Sequence, residues 1–163
     1  LLLLLFILQH LRFGAAFFAA ASPKTKLKMF KARYPLEGGP PQVKLHVAII
    51  VEDAGNVGKK RGRINRQKGD PGRRFVLFDF LPEEPTALPT AMRLLTGQDV
   101  PGSLRERELR FLPPGSVCVG ESDATLDEMR GFVTEYPDRL SLVSNNCFSF
   151  VNAFVERHSA EKR

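Results

Sequence analysis

Tryptophan is absent from the 163 residues, and there are only two cysteines, two tyrosines and three histidines. Two cysteines cannot build the several bridges of a small disulfide-rich domain. Cys118 and Cys147 also lie far outside Cys-x-x-Cys spacing, so no zinc ribbon or finger is encoded. No resident metal or other cofactor is expected. Uninterrupted apolar runs are short as well. Leu1–Ile7 gives way to Gln9, His10 and Arg12 before Phe13–Ala21 turns apolar again. Neither run reaches the roughly 18–20 residues a membrane span needs. A phosphate-binding P-loop is excluded too, because Gly55-x-x-Gly58-Lys59-Lys60 has the wrong spacing and lacks the closing Ser or Thr.

Phenylalanine is abundant, with 13 residues. With so little Tyr and no Trp, the aromatic content is almost wholly apolar and suited to a buried core. A chain of this length has room for one domain with a sizeable core plus tails, and a monomer is expected.

The formal net charge of +6 is unevenly distributed. Gly55–Arg74 carries eight basic residues against the single acid Asp70, a local +7. Lys24–Arg33 carries five basic residues and no acid, a local +5, so the rest of the chain is net −6. The basic character belongs to two segments, and the domain between and after them is mildly acidic.

Residues 1–41 read as an extension and linker. The first residue is not Met, as expected of a fragment or processed product, and a run ending in Ala19-Ala20-Ala21 resembles a secretory or organelle-targeting core. Translated low-complexity DNA is the alternative for the leucine run. Pro35–Pro41 has linker composition. The domain is expected over 42–158, followed by a tail at 159–163. Val43–Val51 is apolar on both faces and reads as a buried strand. A Gly-, Lys- and Arg-rich insertion over 52–74 reads as a mobile loop, and Phe75–Leu81 as the next strand. A short helix is expected around Thr90–Leu95, stopped by Gly97, then a turn at Val100-Pro101-Gly102. An edge strand follows at Arg105–Phe111, and a short core strand at Val117–Gly120. Ser122 or Asp123 is expected to cap a helix running to Tyr136, with Leu126, Met129, Val133 and Tyr136 as its apolar stripe. A final helix is expected from Cys147 to His158.

In that last helix Cys147, Phe150, Val151, Phe154 and Val155 share the inward face. Cys147 also occupies the first turn, where unpaired N–H groups and the positive end of the helix dipole favour a thiolate. The alternative is a buried structural cysteine. Cys118, before Gly120, reads as a core residue. His10 and His158 receive no role.

Asn146-Cys147-x-x-Phe150-Val151 resembles the nucleophile motif of the lecithin retinol acyltransferase group. His46-Val47-Ala48-Ile49-Ile50 is similar to that group's His-x-x-Ile-Tyr strand, with Ile50 in place of the Tyr. Imidazole first on a strand and thiol last on a helix is the permuted papain order, shared with the PPPDE-type isopeptidases, whose cysteine motif also reads Asn-Cys. The stretch from His46 to Val155 further resembles a family of small uncharacterised plant and algal proteins, through Leu77–Pro82, Val100-Pro101-Gly102, Leu112-Pro113, Val119-Gly120 and Asn146–Asn152. The resemblance implies an α+β, circularly permuted papain-like fold, with a small antiparallel sheet packed on the cysteine-bearing helix. It implies Cys147 as nucleophile and His46 as base, in a thiol hydrolase or acyltransferase acting on an acyl, amide or ester bond. Where the acyltransferases carry a second His, the next strand here offers Asp79. That carboxylate either orients His46, as a third triad member does, or caps the turn at Leu81-Pro82. His46 has its own alternative, a core histidine with a satisfied ring.

A second function class also fits the residues. A non-catalytic papain-like domain could contact nucleic acid or acidic membrane through Lys59–Arg74, because clustered cations release counterions on binding phosphates. A solvated basic loop is the plainer reading, since interleaved aromatics are missing.

Overall fold

The computed structural model describes residues 26–35, 45–53 and 73–160. Their architecture is α+β: a six-stranded sheet with every strand pair antiparallel, and two helices on one face. The strands are β1 (Leu27–Tyr34), β2 (His46–Asp53), β3 (Arg74–Pro82), β4 (Val100–Leu109), β5 (Val117–Ser122) and β6 (Arg139–Leu140). Helix α1 (Leu88–Leu95) follows β3, α2 (Leu126–Glu135) follows β5, and α3 (Cys147–His158) follows β6. The spatial order is β5-β1-β2-β3-β4-β6, with β2 and β3 at the centre.

The two central strands are apolar at nearly every position because both their faces are covered. On the helix-bearing face, Val47, Ile49, Val51, Val76, Phe78 and Phe80 meet Met129 of α2 and Phe150, Val151 and Phe154 of α3. Here the phenylalanine content finds its use. The Phe78 and Phe154 rings are 5.6 Å apart, Phe132 stands edge-on to Phe154, and Tyr136 edge-on to Phe150 at 5.0 Å. The opposite face carries a smaller cluster of Ala32, Ala48, Ile50, Phe75 and Leu77, flanked by Tyr34 and Leu109.

Strand β1 corrects the expected boundary at residue 41. Leu27–Tyr34 pairs with β2 from Lys28↔Glu52 to Tyr34↔His46, inside the sheet. Its lysines and arginine suggested a basic extension, but Lys28 and Arg33 are exposed while Leu27, Met29 and Ala32 are buried. Long cationic side chains reach water from a strand whose backbone and small residues are covered. Alternation at Leu27-x-Met29 was the available signal.

Other boundaries shift for local reasons. Val100-Pro101-Gly102 opens β4 instead of turning, with Gly102 opposite Pro82. A β-carbon at Gly102 would lie 2.3 Å from the Phe80 ring, so the strand passes the ring only with glycine there. Helix α2 is capped by Thr125 in a reciprocal box with Glu128, not by Ser122 or Asp123. Ser122 instead accepts a hydrogen bond from the Ala124 N–H. Strand β5 is an exposed edge rather than a core strand, and Cys118 is exposed on it. Helix α1 starts at Leu88, with Pro89 tolerated in its first turn, and Gly97 closes it with φ of 78°.

Of the basic insertion, residues 54–72 lie outside the described residues, as do the apolar run at 1–25 and the last three residues of the tail. At the margins of the insertion, Glu52 and Asp53 extend β2, Arg73 pairs with buried Glu52 at 2.9 Å, and Arg74 pairs with Glu108. These two arginines serve the sheet.

Candidate active site

The helix that carries Cys147 begins where it does because of the residue before it. Asn146 is extended, and its side-chain oxygen accepts from the N–H groups of Phe148 (2.9 Å) and Ser149 (3.2 Å). Ser149 Oγ accepts in return from the Asn146 N–H at 2.6 Å, closing a capping box. The approach is pinned as well. Asn146 donates to the Leu142 carbonyl, and Asn145 donates to the Arg139 carbonyl while accepting from the Tyr136 hydroxyl at 2.7 Å. The Asn-Asn-Cys sequence is thus a mechanical device: two asparagines fix the chain so that the thiol occupies the first helical position. The cap takes the N–H groups of Phe148 and Ser149 and not that of Cys147.

His46 is the first residue of β2. Pairing between β2 and β3 starts only at Ile49 and Phe78, and ahead of that point the first turn of α3 meets β2, where the Val47 N–H bonds to the Cys147 sulfur. The imidazole is 3% exposed, and its Nε2 lies 3.4 Å from Oδ2 of Asp79. Neither ring nitrogen completes an aligned hydrogen bond among the described residues. The Tyr34 ring, directly across the β1–β2 pair, is 6.5 Å away between centroids, with its hydroxyl buried and likewise unpartnered among the described residues.

Asp79 is wholly buried between Phe78 and Phe80, a position a carboxylate holds only with strong partners. They come from β4. Arg105, directly opposite in the register, grips the carboxylate bidentately, with Nε to Oδ1 at 2.9 Å and Nη2 to Oδ2 at 3.1 Å. Arg107 Nη2 donates to Oδ2 at 2.7 Å. The carboxylate therefore faces arginines and imidazole and does not cap the Leu81-Pro82 turn. Sequence reasoning missed both arginines, although their alternation through Arg105-x-Arg107 on the strand after a buried acid was a usable signal.

These contacts govern the charges. For Asp79, burial opposes ionisation, but the approach of His46, the bonds from Arg105 and the charges of Arg105 and Arg107 outweigh it, bringing its pKa down to about 2. Burial likewise opposes the charged form of His46, and the attraction of Asp79 and of Cys147 overcomes it, leaving the imidazole above its ordinary value. Burial pushes the Cys147 thiol up, while His46, the Val47 N–H and its own N–H bring it below the ordinary thiol value. The proton affinities of the thiol and the imidazole thus shift toward one another, each group stabilising the other's charged form.

Three residues separated by up to 101 positions in sequence therefore converge from β2, β3 and α3. Cys118, on β5, and His158, buried against Phe132 and Phe154 at the far end of α3, stand apart from them. Among the described residues no cluster of three or more His, Cys, Asp or Glu side chains could hold a metal ion, and no helix is long and apolar enough to cross a membrane. No protein-family model, curated protein or solved structure matches the chain.

Proposed function

We propose that this chain is a cysteine-dependent hydrolase or acyltransferase of permuted papain-like architecture, with Cys147 as nucleophile, His46 as general base and acid, and Asp79 as the group that orients His46. The observation that supports this reading is a thiol at a capped helix N-terminus packed on the strand whose buried imidazole lies 3.4 Å from a wholly buried carboxylate. An activated nucleophile needs that set of partners.

The chemistry follows from the arrangement. The Cys147 sulfur attacks an acyl, amide or ester carbonyl, its proton passing to His46. The resulting oxyanion is met by the Cys147 N–H, which the helix cap leaves unclaimed. His46 then returns the proton to the departing amine or alcohol as the carbon–heteroatom bond breaks, leaving a thioester on Cys147. Water, or an acceptor hydroxyl or amine, next attacks the thioester while His46 takes the incoming proton. The thiolate is regenerated, and water gives hydrolysis while the other acceptors give transfer. Asp79 stays ionised throughout and keeps the imidazole in register.

The two cysteines provide an internal control. Cys118 is exposed on β5, away from the imidazole, and serves as the comparison thiol for an alkylating probe at pH 6. Cys147 is expected to label much faster at that pH, and His46→Ala to abolish the difference. Equal, slow labelling of both cysteines in the wild-type chain overturns the proposal. Profiling with acyl, peptide and ubiquitin-like substrates then separates the reaction types.

A further inference from the structure

Oxygen Oδ2 of Asp79 is approached by three donors. Arg107 Nη2 lies at 2.7 Å, Arg105 Nη2 at 3.1 Å and His46 Nε2 at 3.4 Å. A carboxylate oxygen has about two lone-pair sites. Two arginine N–H groups at hydrogen-bonding distance fill them, which accounts for the long, unaligned contact left to the imidazole.

The two arginines are not equivalent. Arg105 stands directly opposite Asp79 in the β3–β4 register, spans both oxygens, and has a side chain 34% exposed. Arg107 stands opposite Leu77, holds only Oδ2, and has a side chain 52% exposed. Arg105 is the anchor, and Arg107 is a more solvent-accessible claimant to the oxygen that faces His46. Among the described residues, the remaining groups near the imidazole are Tyr34 from β1 and Cys147 from α3.

We propose that Arg107 is a positioning residue of this site, competing with His46 for Oδ2 of Asp79 and so limiting how firmly the carboxylate holds the imidazole. The inference rests on the Cys147–His46–Asp79 reading above and adds to it a group that acts only through Asp79. Removing Arg107 hands Oδ2 to His46. Removing Arg105 takes away the bidentate anchor and lets the carboxylate turn from the ring. Each change deletes one positive charge from the same patch, yet the two have opposite consequences for the imidazole.

The test is the titration of the His46 ring by NMR in the full chain, with His46→Gln identifying its resonance among the three histidines. Relative to wild type, the midpoint is expected to rise in Arg107→Gln, to rise less in Arg107→Lys, and to fall in Arg105→Gln. Should Arg105→Gln not fold, Arg105→Lys keeps the charge but loses the two-pronged grip, and is expected to lower the midpoint as well. An unchanged midpoint in Arg107→Gln, or the same upward shift on removing either arginine, overturns the proposal, because a purely structural pair or simple charge removal would then suffice. The labelling ratio of Cys147 to Cys118 is read separately. Its failure would remove the enzymatic reading while leaving the Arg107 competition decided by the titration.

Discussion

Phe78 and Phe80 lie on either side of Asp79 in one strand, and pleating sends the two phenylalanines to one face and the aspartate to the other. On the phenylalanine face, contacts are many and interchangeable: Phe132, Tyr136, Phe150 and Phe154 each touch more than one other ring. On the aspartate face, beside a smaller apolar cluster, the carboxylate itself is held by four named bonds and contacts to Arg105, Arg107 and His46. The first face is held by apolar area, which is non-directional and tolerant of exchange. The second is held by geometry, where losing one partner strands another. The aromatic core and the Asp79 contacts thus lie on opposite sides of a single strand, with Cys147 carried by the helix on the aromatic side, and core and contacts should fail separately.

Substitution on the aromatic face tests that separation with the largest effect. Phe150→Ala removes a fully buried ring and is expected to cost about 4 kcal/mol of unfolding free energy by denaturant titration. In whatever fraction stays folded, Cys147 should still label ahead of Cys118. Asp79→Asn should behave in the opposite way. Losing the charge-assisted bonds is expected to cost about 2 kcal/mol, yet the labelling advantage of Cys147 should collapse. If Phe150→Ala erased the advantage and Asp79→Asn spared it, the two faces would not divide their tasks as described.

The pH dependence of stability sharpens the same contrast. Asp79 has a depressed folded pKa of about 2, so its contribution is present above the unfolded carboxylate value and is lost as pH falls toward 2. His46 is raised, so its contribution is present below the unfolded imidazole value and is lost as pH climbs through the folded one. Together they favour the folded state most between about pH 4 and 6.5. Urea titrations across that range should show a maximum in the wild type that Asp79→Asn flattens and Phe150→Ala leaves in shape.

Smaller effects lie at the ends of the comparison. Asn146→Ala removes the cap and is expected to cost about 1 kcal/mol, with slower labelling of Cys147 as the first turn frays. Cys118→Ser, at the exposed edge of β5, should change stability by less than about 0.5 kcal/mol and leave Cys147 labelling untouched. A large effect there would mean that β5 reaches the site by a route its contacts do not suggest.

Much of the fold could be read from the chain because periodicity reports burial. The β2 and β3 runs and the spacing Phe150, Val151, Phe154 name elements that the structure contains. Strand β1 escaped because charge masked alternation, and its pairing with both β2 and β5 is a long-range fact that no local window contains. Cys147 and His46 were legible as a pair only through their motifs. The alternation Arg105-x-Arg107 hinted at the grip on Asp79, but its pairing depends on the register that sets Arg105 opposite Asp79 across a chain reversal. An acid between two phenylalanines announced that partners must exist, but not which ones.

The cap on α3 has a consequence for how this molecule could be watched. Cysteine labelling ordinarily rises when a protein opens, because unfolding uncovers the sulfur. Here the native fold is what lowers the thiol's proton affinity, through His46 and the Val47 N–H at the helix start that Asn146 fixes. At mildly acidic pH the folded chain should therefore be the fast-reacting species and the unfolded chain the slow one. A single sulfur would then serve as an inverted folding gauge, with its signal fading as the structure comes apart.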